Sequence, residues 1–164
     1  MKAFIFLSLT GMLVTATVTA QDIDNTNPIN NRIRRNSFYL ELMGNGGYYS
    51  LNYDRLFPLK KGEVLFLRIG GTSASEKDSD VIHPGIVTEF GILSGGERHF
   101  FDAGLGYTQF LGFPDRLVIL RGGYRFTGMK GFLFRAAPMY IYNSEKGDTF
   151  GNCFYFGASF GYSF

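Results

Sequence analysis

Tryptophan is absent from this chain, cysteine occurs once, histidine twice and proline five times. The lone Cys153 excludes an internal disulfide scaffold. With only His83 and His99 beside it, the sequence offers no metal-type Cys/His cluster and implies no cofactor. The formal charge of +2 is too balanced for a nucleic-acid binder. Beyond the N-terminal region no apolar run is long enough for a transmembrane helix, because Arg, Asp or Glu interrupts each one. Helical periodicity is missing as well.

What is plentiful is aromatic residues and glycine. Phe and Tyr number 18 and 10, and the 22 glycines are about twice ordinary usage. Their arrangement is specific. In FYFGASFGYSF, Phe154, Phe156, Ala158, Phe160, Tyr162 and Phe164 fall on one parity, and Tyr155, Gly157, Ser159, Gly161 and Ser163 on the other. A β-strand with these residues has one aromatic face and one small, polar face.

The N-terminus begins Met1-Lys2, runs through a mostly apolar stretch from Ala3 to Val18, and reaches Val18-Thr19-Ala20. That layout predicts a secretory signal peptide over 1–20, cleaved after Ala20. A retained membrane anchor is the alternative. The stretch is short for a span, however, and holds Ser8, Thr10, Thr15 and Thr17. Residues 21–36, QDIDNTNPINNRIRRN, are polar and predict a flexible tail. Its Arg32, Arg34 and Arg35 suit a solvated segment, or contact with acidic lipid.

From Ser37 to Phe164, period-2 segments alternate with turn-like clusters. The clusters are GNGG at Gly44–Gly47, FPLKKG, SASEKDSD, SGGER, GFPD, GMKG and NSEKGD. They divide the region into eight strands of about ten to thirteen residues, enough to cross a hydrocarbon core at a tilt. Residues 38–57 could also form one long bent strand instead of two. Short links make antiparallel neighbours, and an even strand number suits an all-β, up-and-down barrel. Pro138 removes a ladder donor and is expected at a bulge near the rim.

The faces decide the solvent. One face collects Phe, Leu, Ile, Val and Tyr. The other collects small residues with Glu41, Asp54, Glu89 and Asp102, and with Arg68, Arg121, Arg125 and Arg135. A soluble barrel would turn the charged face outward. Two features oppose that. These positions use arginine and no lysine, and arginine suits buried bidentate pairing with carboxylates. Gly104, Gly106, Gly123, Gly157 and Gly161 share the charged face, where they would make room for long side chains in a narrow lumen. The expectation is therefore a transmembrane barrel with its apolar face in lipid and an ion-pair network filling the interior. Tyr49, Tyr53, Tyr107, Tyr124, Tyr140 and Tyr162 are candidates for interfacial girdles.

Phe160, Tyr162 and Phe164 resemble the assembly signal at the end of bacterial outer-membrane β-barrels, except that Ser159 stands where some versions carry glycine. FYLELMGNGGYYSLNYDRLF resembles small barrel proteins of the Bacteroidota, and the likeness extends over 37–164 as general barrel patterning. The resemblance implies an outer-membrane location, with outer-membrane lipids and the barrel-assembly machinery as partners. It implies a structural or interaction role in the envelope without an open pore. Some small outer-membrane barrels are lipid A deacylases or acyltransferases that use His with Ser or Asp. His83 near Ser79 and Asp80 is the place to look for that chemistry, although the spacing fits no defined motif. His99 beside Phe100 and Phe101 suits an interfacial structural role. GNGG and Gly104–Gly106 lack the following helix of a phosphate loop. A periplasmic lipocalin-like carrier with its faces reversed is the remaining alternative, and it requires an apolar lumen.

Overall fold

The structure, a computed structural model, describes residues 33–59, 62–75, 81–112, 115–143 and 151–164. The expected signal peptide and most of the tail lie outside the described residues. Eight strands follow one another: β1 (Asn36–Leu42), β2 (Tyr49–Pro58), β3 (Glu63–Ser75), β4 (Ile82–Gly95), β5 (His99–Phe110), β6 (Arg116–Thr127), β7 (Phe132–Asn143) and β8 (Cys153–Ser163). Each pairs antiparallel with its neighbour in sequence. The pairing of β1 with β8 closes the sheet into a barrel. Residues 38–57 are thus two strands, β1 and β2, hairpinned in a register that pairs Leu40 with Leu51.

Closure satisfies the backbone groups that an open edge would leave unpaired. At the end of the barrel that holds Asn36, the amide of Asn36 donates to the carbonyl of Phe164 at 3.1 Å, and the amide of Phe164 donates to the carbonyl of Asn36 at 2.8 Å. We call this the terminal end, and the opposite one the far end. The turn between β6 and β7 buttresses the same corner. The amide of Ser163 donates to Gly131 O at 2.7 Å, with Gly131 at a φ of 97° that favours glycine.

Several sequence expectations shift in detail. β1 has only 7 residues and β4 has 14. The SASEKDSD loop is shorter than its composition suggests, because Ser73 pairs with Pro84 and Ser75 with Ile82. Pro138 sits at the middle of β7, not near a rim. The register on either side of it is continuous, from Arg121–Met139 to Tyr124–Ala136, so there is no bulge. The ladder simply lapses opposite Gly122 and Gly123, as expected where proline supplies no N–H. The last residues of the polar tail also join the barrel. Ile33 packs on the inward apolar cluster of the terminal end, and Arg35 O accepts the amide of Leu56 at 2.7 Å. Ile33 is one apolar residue in a polar run, too little for periodicity to register.

A charged interior between two apolar plugs

Alternation along the strands sorts side chains strictly. Outward positions are apolar over most of the surface: Leu67, Phe90, Leu120, Phe154 and Phe156 are 58%, 60%, 63%, 82% and 62% exposed. The six tyrosines picked out above all stand outward. Tyr53, Tyr124 and Tyr162 lie toward the terminal end, and Tyr49, Tyr107 and Tyr140 toward the far end. Inward positions hold the charge. Glu41, Asp54, Arg68, Glu89, Asp102, Arg121, Arg125 and Arg135 are all buried.

These eight groups make contact in the middle of the barrel. Arg68 Nη1 donates to Glu89 Oε2 at 2.8 Å, its Nη2 is bonded to Glu41 Oε2, and its Nε donates to Asn52 at 3.0 Å. Arg121 Nη2 reaches Glu89 Oε1 at 2.5 Å and Asp102 Oδ1 at 2.9 Å. Arg135 holds the other Asp102 oxygen, with Nε at 2.8 Å. Arg125 on β6 donates to Asp54 on β2 at 2.6 Å, which braces the barrel across its diameter. It also donates to Ser37 Oγ at 2.8 Å, and Ser37 meets Ser163 Oγ at 2.9 Å across the β1–β8 seam. Each cation therefore has a carboxylate partner, as burial of charge requires.

Two aromatic residues that the sequence reading did not single out complete this belt. The Arg68 and Arg135 guanidiniums lie 5.4 and 5.3 Å from the Tyr39 ring, and Arg135 Nη1 donates to Tyr39 Oη at 2.5 Å. Arg121 and Arg135 lie 5.8 and 5.3 Å from the Phe66 ring. These faces attract the cations where carboxylates do not reach. The signal was present in the sequence: Tyr39 shares parity with Glu41, and Phe66 with Arg68.

The inward face is not uniformly polar, as the sequence reading had it. Leu56, Val64, Phe66, Leu93 and Phe100 cluster toward the terminal end, and Ala74, Phe110, Leu117, Ile119, Met139 and Ile141 toward the far end. The charged belt thus lies between two inward apolar clusters, one toward each mouth. A carrier's apolar lumen is not what the centre of this barrel holds.

The GNGG segment is the tight turn expected, with the amide of Gly47 donating to Gly44 O at 2.9 Å, but it is tucked into the barrel instead of standing clear of it: Gly44–Gly47 are buried, while Met43, at a φ of 55°, and Tyr48 on either side are exposed. Asn45 is fully buried. Its side chain donates to Glu89 Oε2 at 2.6 Å and its amide to Glu41 Oε2 at 2.9 Å. Thr108 Oγ1 donates to Asn45 O at 2.7 Å, and Thr72 Oγ1 to Gly46 O at 2.8 Å. The inward glycines serve this loop and its neighbours more than the arginines. A Cβ at Gly106 would stand 2.6 Å from Asn45 Nδ2, and one at Gly157 would stand 3.0 Å from Met43 O. Gly104 leaves room for Glu89, Gly123 for Ala137 and Gly161 for Tyr39. Gly106→Val is therefore expected to expel the loop, lowering stability by about 1–3 kcal/mol and exposing the amides of Asn45–Tyr48 to hydrogen exchange. Gly71→Val, where a Cβ meets nothing within 4 Å, should do neither.

The remaining candidates are placed as follows. His83 Nδ1 lies 3.2 Å from Leu111 O, while Ser79 and Asp80 fall outside the described residues. His99 Nδ1 is 2.5 Å from Tyr124 Oη, and its ring packs 5.1 Å from Phe126, on the outer face. Cys153 is half-buried at the far-end mouth, its Sγ 3.1 Å from Gly151 O. No group of three or more His, Cys, Asp or Glu with metal-holding geometry occurs among the described residues. Phe160 and Tyr162 stand outward on β8, and Phe164 follows them, all exposed.

Fold and site together define a small closed antiparallel β-barrel, charged inside and apolar outside. Neither a protein-family model nor a curated protein matches the chain. Among solved structures it is similar to the Yersinia pestis outer membrane protein Ail in a phospholipid bilayer nanodisc. The TM-score is 0.50 at 11% identity, over 80% of this chain and 100% of that one. At that identity the likeness concerns the fold.

Proposed function

We propose that this protein is an integral outer-membrane β-barrel that stabilises the envelope or presents short loops, and that it does not conduct. The observation that carries this reading is the inside-out distribution of charge: eight buried acidic and basic side chains within, and a broad apolar belt without. Water as the outer solvent would leave that belt exposed far beyond the few hundred Å² usual for soluble proteins. The fold likeness to Ail supports the same location. The signal-peptide pattern and the Bacteroidota-like segment support it from sequence. The paired charges that cross the lumen between the two apolar clusters support a closed interior over an open pore. Phe160, Tyr162 and Phe164 present the outward edge that the assembly machinery would read.

The deciding experiment is membrane fractionation combined with gel migration before and after boiling. A barrel of this kind stays in the outer-membrane fraction and migrates differently once heated. Recovery in the soluble fraction, with no heat-dependent shift, would overturn the reading.

The long connections at the far end support one orientation. With the terminal end in the periplasm, the connections around Lys77 and between β7 and β8 lie outside the cell, and the turn at Gly128–Gly131 lies inside it. The outer connections include the longest, as in other such barrels. An epitope inserted at Lys77 should label on intact cells, and one at Lys130 only after permeabilisation. The converse labelling would reverse the topology.

A further inference from the structure

The two ends of the barrel differ in charge. The far-end connections between β3 and β4 and between β7 and β8 carry Glu76, Asp78, Asp80, Glu145 and Asp148 against Lys77 and Lys146. At the terminal end four described cations, Arg34, Arg35, Arg55 and Lys130, gather on one side, while Arg98 stands on the β4–β5 turn beside Glu97. Arg34 reaches from the start of β1 across the end of β8, donating to Ser163 O at 3.2 Å and to Met129 O at 2.9 Å. That second bond brings the β6–β7 turn, with the exposed Lys130, against the seam. On the other side of β1, the bond from Leu56 N to Arg35 O sets Arg35 beside Arg55. The arc is continuous over β7, β8, β1 and β2. The acidic residues of this end, Glu63 and Glu97, lie on β3 and on the β4–β5 turn.

Two of these cations touch the edge of the apolar belt. The Arg34 guanidinium lies 5.9 Å from the ring of Tyr162, and that of Arg55 lies 5.8 Å from the ring of Phe57. Both rings stand outward. A guanidinium laid over an outward aromatic ring at the margin of an apolar surface sits where lipid headgroups begin. The seam it borders is also the shortest pairing in the barrel, because β1 ends at Leu42.

We propose that this arc seats the phosphates of anionic phospholipids in the leaflet facing the terminal end, so that headgroups bridge the β8–β1 seam from outside. The inference rests on the membrane reading above. Arg34 keeps guanidinium N–H groups beyond its two carbonyl bonds, and planar guanidinium matches phosphate oxygens. Lys130, Arg35 and Arg55 add charge along the same rim.

The test uses the full chain reconstituted in phosphatidylcholine nanodiscs doped with spin-labelled phosphatidylglycerol or spin-labelled phosphatidylcholine. The wild-type barrel should immobilise the anionic label in preference, by about fivefold for each cation engaged. The double variant R55Q/K130Q, whose side chains bond no backbone of the barrel in this structure, should lose most of that preference while still shifting on heating. Arg34→Gln should lose it as well and loosen the seam. Equal immobilisation of both labels by the wild type, or an unchanged preference in R55Q/K130Q, would overturn the proposal. So would displacement of the anionic label by inorganic phosphate at matched ionic strength, which would assign the arc to free anions. Failure to insert, with no heat-dependent species in any nanodisc, would instead overturn the membrane reading itself.

Discussion

Arg121→Leu is expected to cost about 3–5 kcal/mol, because it leaves buried carboxylate charge without its partner. For a barrel of this size that is a large part of the total stability. Arg121 holds Glu89 at 2.5 Å and Asp102 at 2.9 Å. Its loss gives the interior an excess negative charge, so neutralising one acid should restore part of what is lost. The contacts rank the two possible suppressors. Glu89→Gln still leaves Arg68 paired with Glu41 and Arg135 paired with Asp102. Asp102→Asn removes the nearest carboxylate of Arg135, at 2.7 Å. Arg121→Leu/Glu89→Gln should therefore recover roughly 1–3 kcal/mol, a coupling typical of groups in one network, and Arg121→Leu/Asp102→Asn should recover less.

The adjacent residue supplies the control. Leu120 stands outward and 63% exposed. Leu120→Arg places a charge on the apolar belt and should cost about 2–4 kcal/mol in a membrane. Neither acid substitution should relieve it. Urea unfolding in lipid vesicles, read by heat-dependent gel migration, measures all of these variants. Equal rescue of both neighbours, or of neither, would dissolve the distinction between a charged inside and a lipid-facing outside.

The second large effect is expected at Phe164, and it is kinetic. Phe164→Ala keeps the two backbone bonds to Asn36 and removes only an exposed ring. In detergent the cost should be small, because little packing is lost. In cells the folded, membrane-embedded amount should fall several-fold, because a strand that is not recognised does not reach the β1 edge it must close against. Until it closes, β1 and β8 each present unpaired N–H and C=O groups, which lipid does not tolerate. Equal losses in the two settings would reduce Phe164 to a packing residue. Normal embedded levels would remove the assembly role from Phe160, Tyr162 and Phe164 together.

Much of this architecture is legible along the chain. Period-2 alternation is a local property: Leu65, Leu67 and Ile69 must face away from Phe66, Arg68 and Gly70 wherever the strand lies. That separates an apolar surface from a charged one, and the turn clusters between the alternating segments divide residues 37–164 into eight strands, with only the split of 38–57 left open. It also places Tyr39 and Phe66 on the charged face.

Contacts across the lumen are another matter. Arg125 meets Asp54 over 71 positions in sequence, and Arg135 meets Tyr39 over 96. Those distances depend on how far each strand is staggered when the sheet closes, and stagger is a property of the whole ring that no single strand encodes. The same holds for Gly44–Gly47. Its glycines announce a turn, but only the space above Gly106 and Gly157, with Glu41 and Glu89 waiting below, turns it inward. Arg34, Arg55 and Lys130 are scattered in the sequence and are gathered on one rim by the closure of β8 on β1. The chain thus determined which side chains share a face through its local period. Tertiary closure decided which of them touch, because only the closed, staggered ring sets the distances across its interior and around its rim.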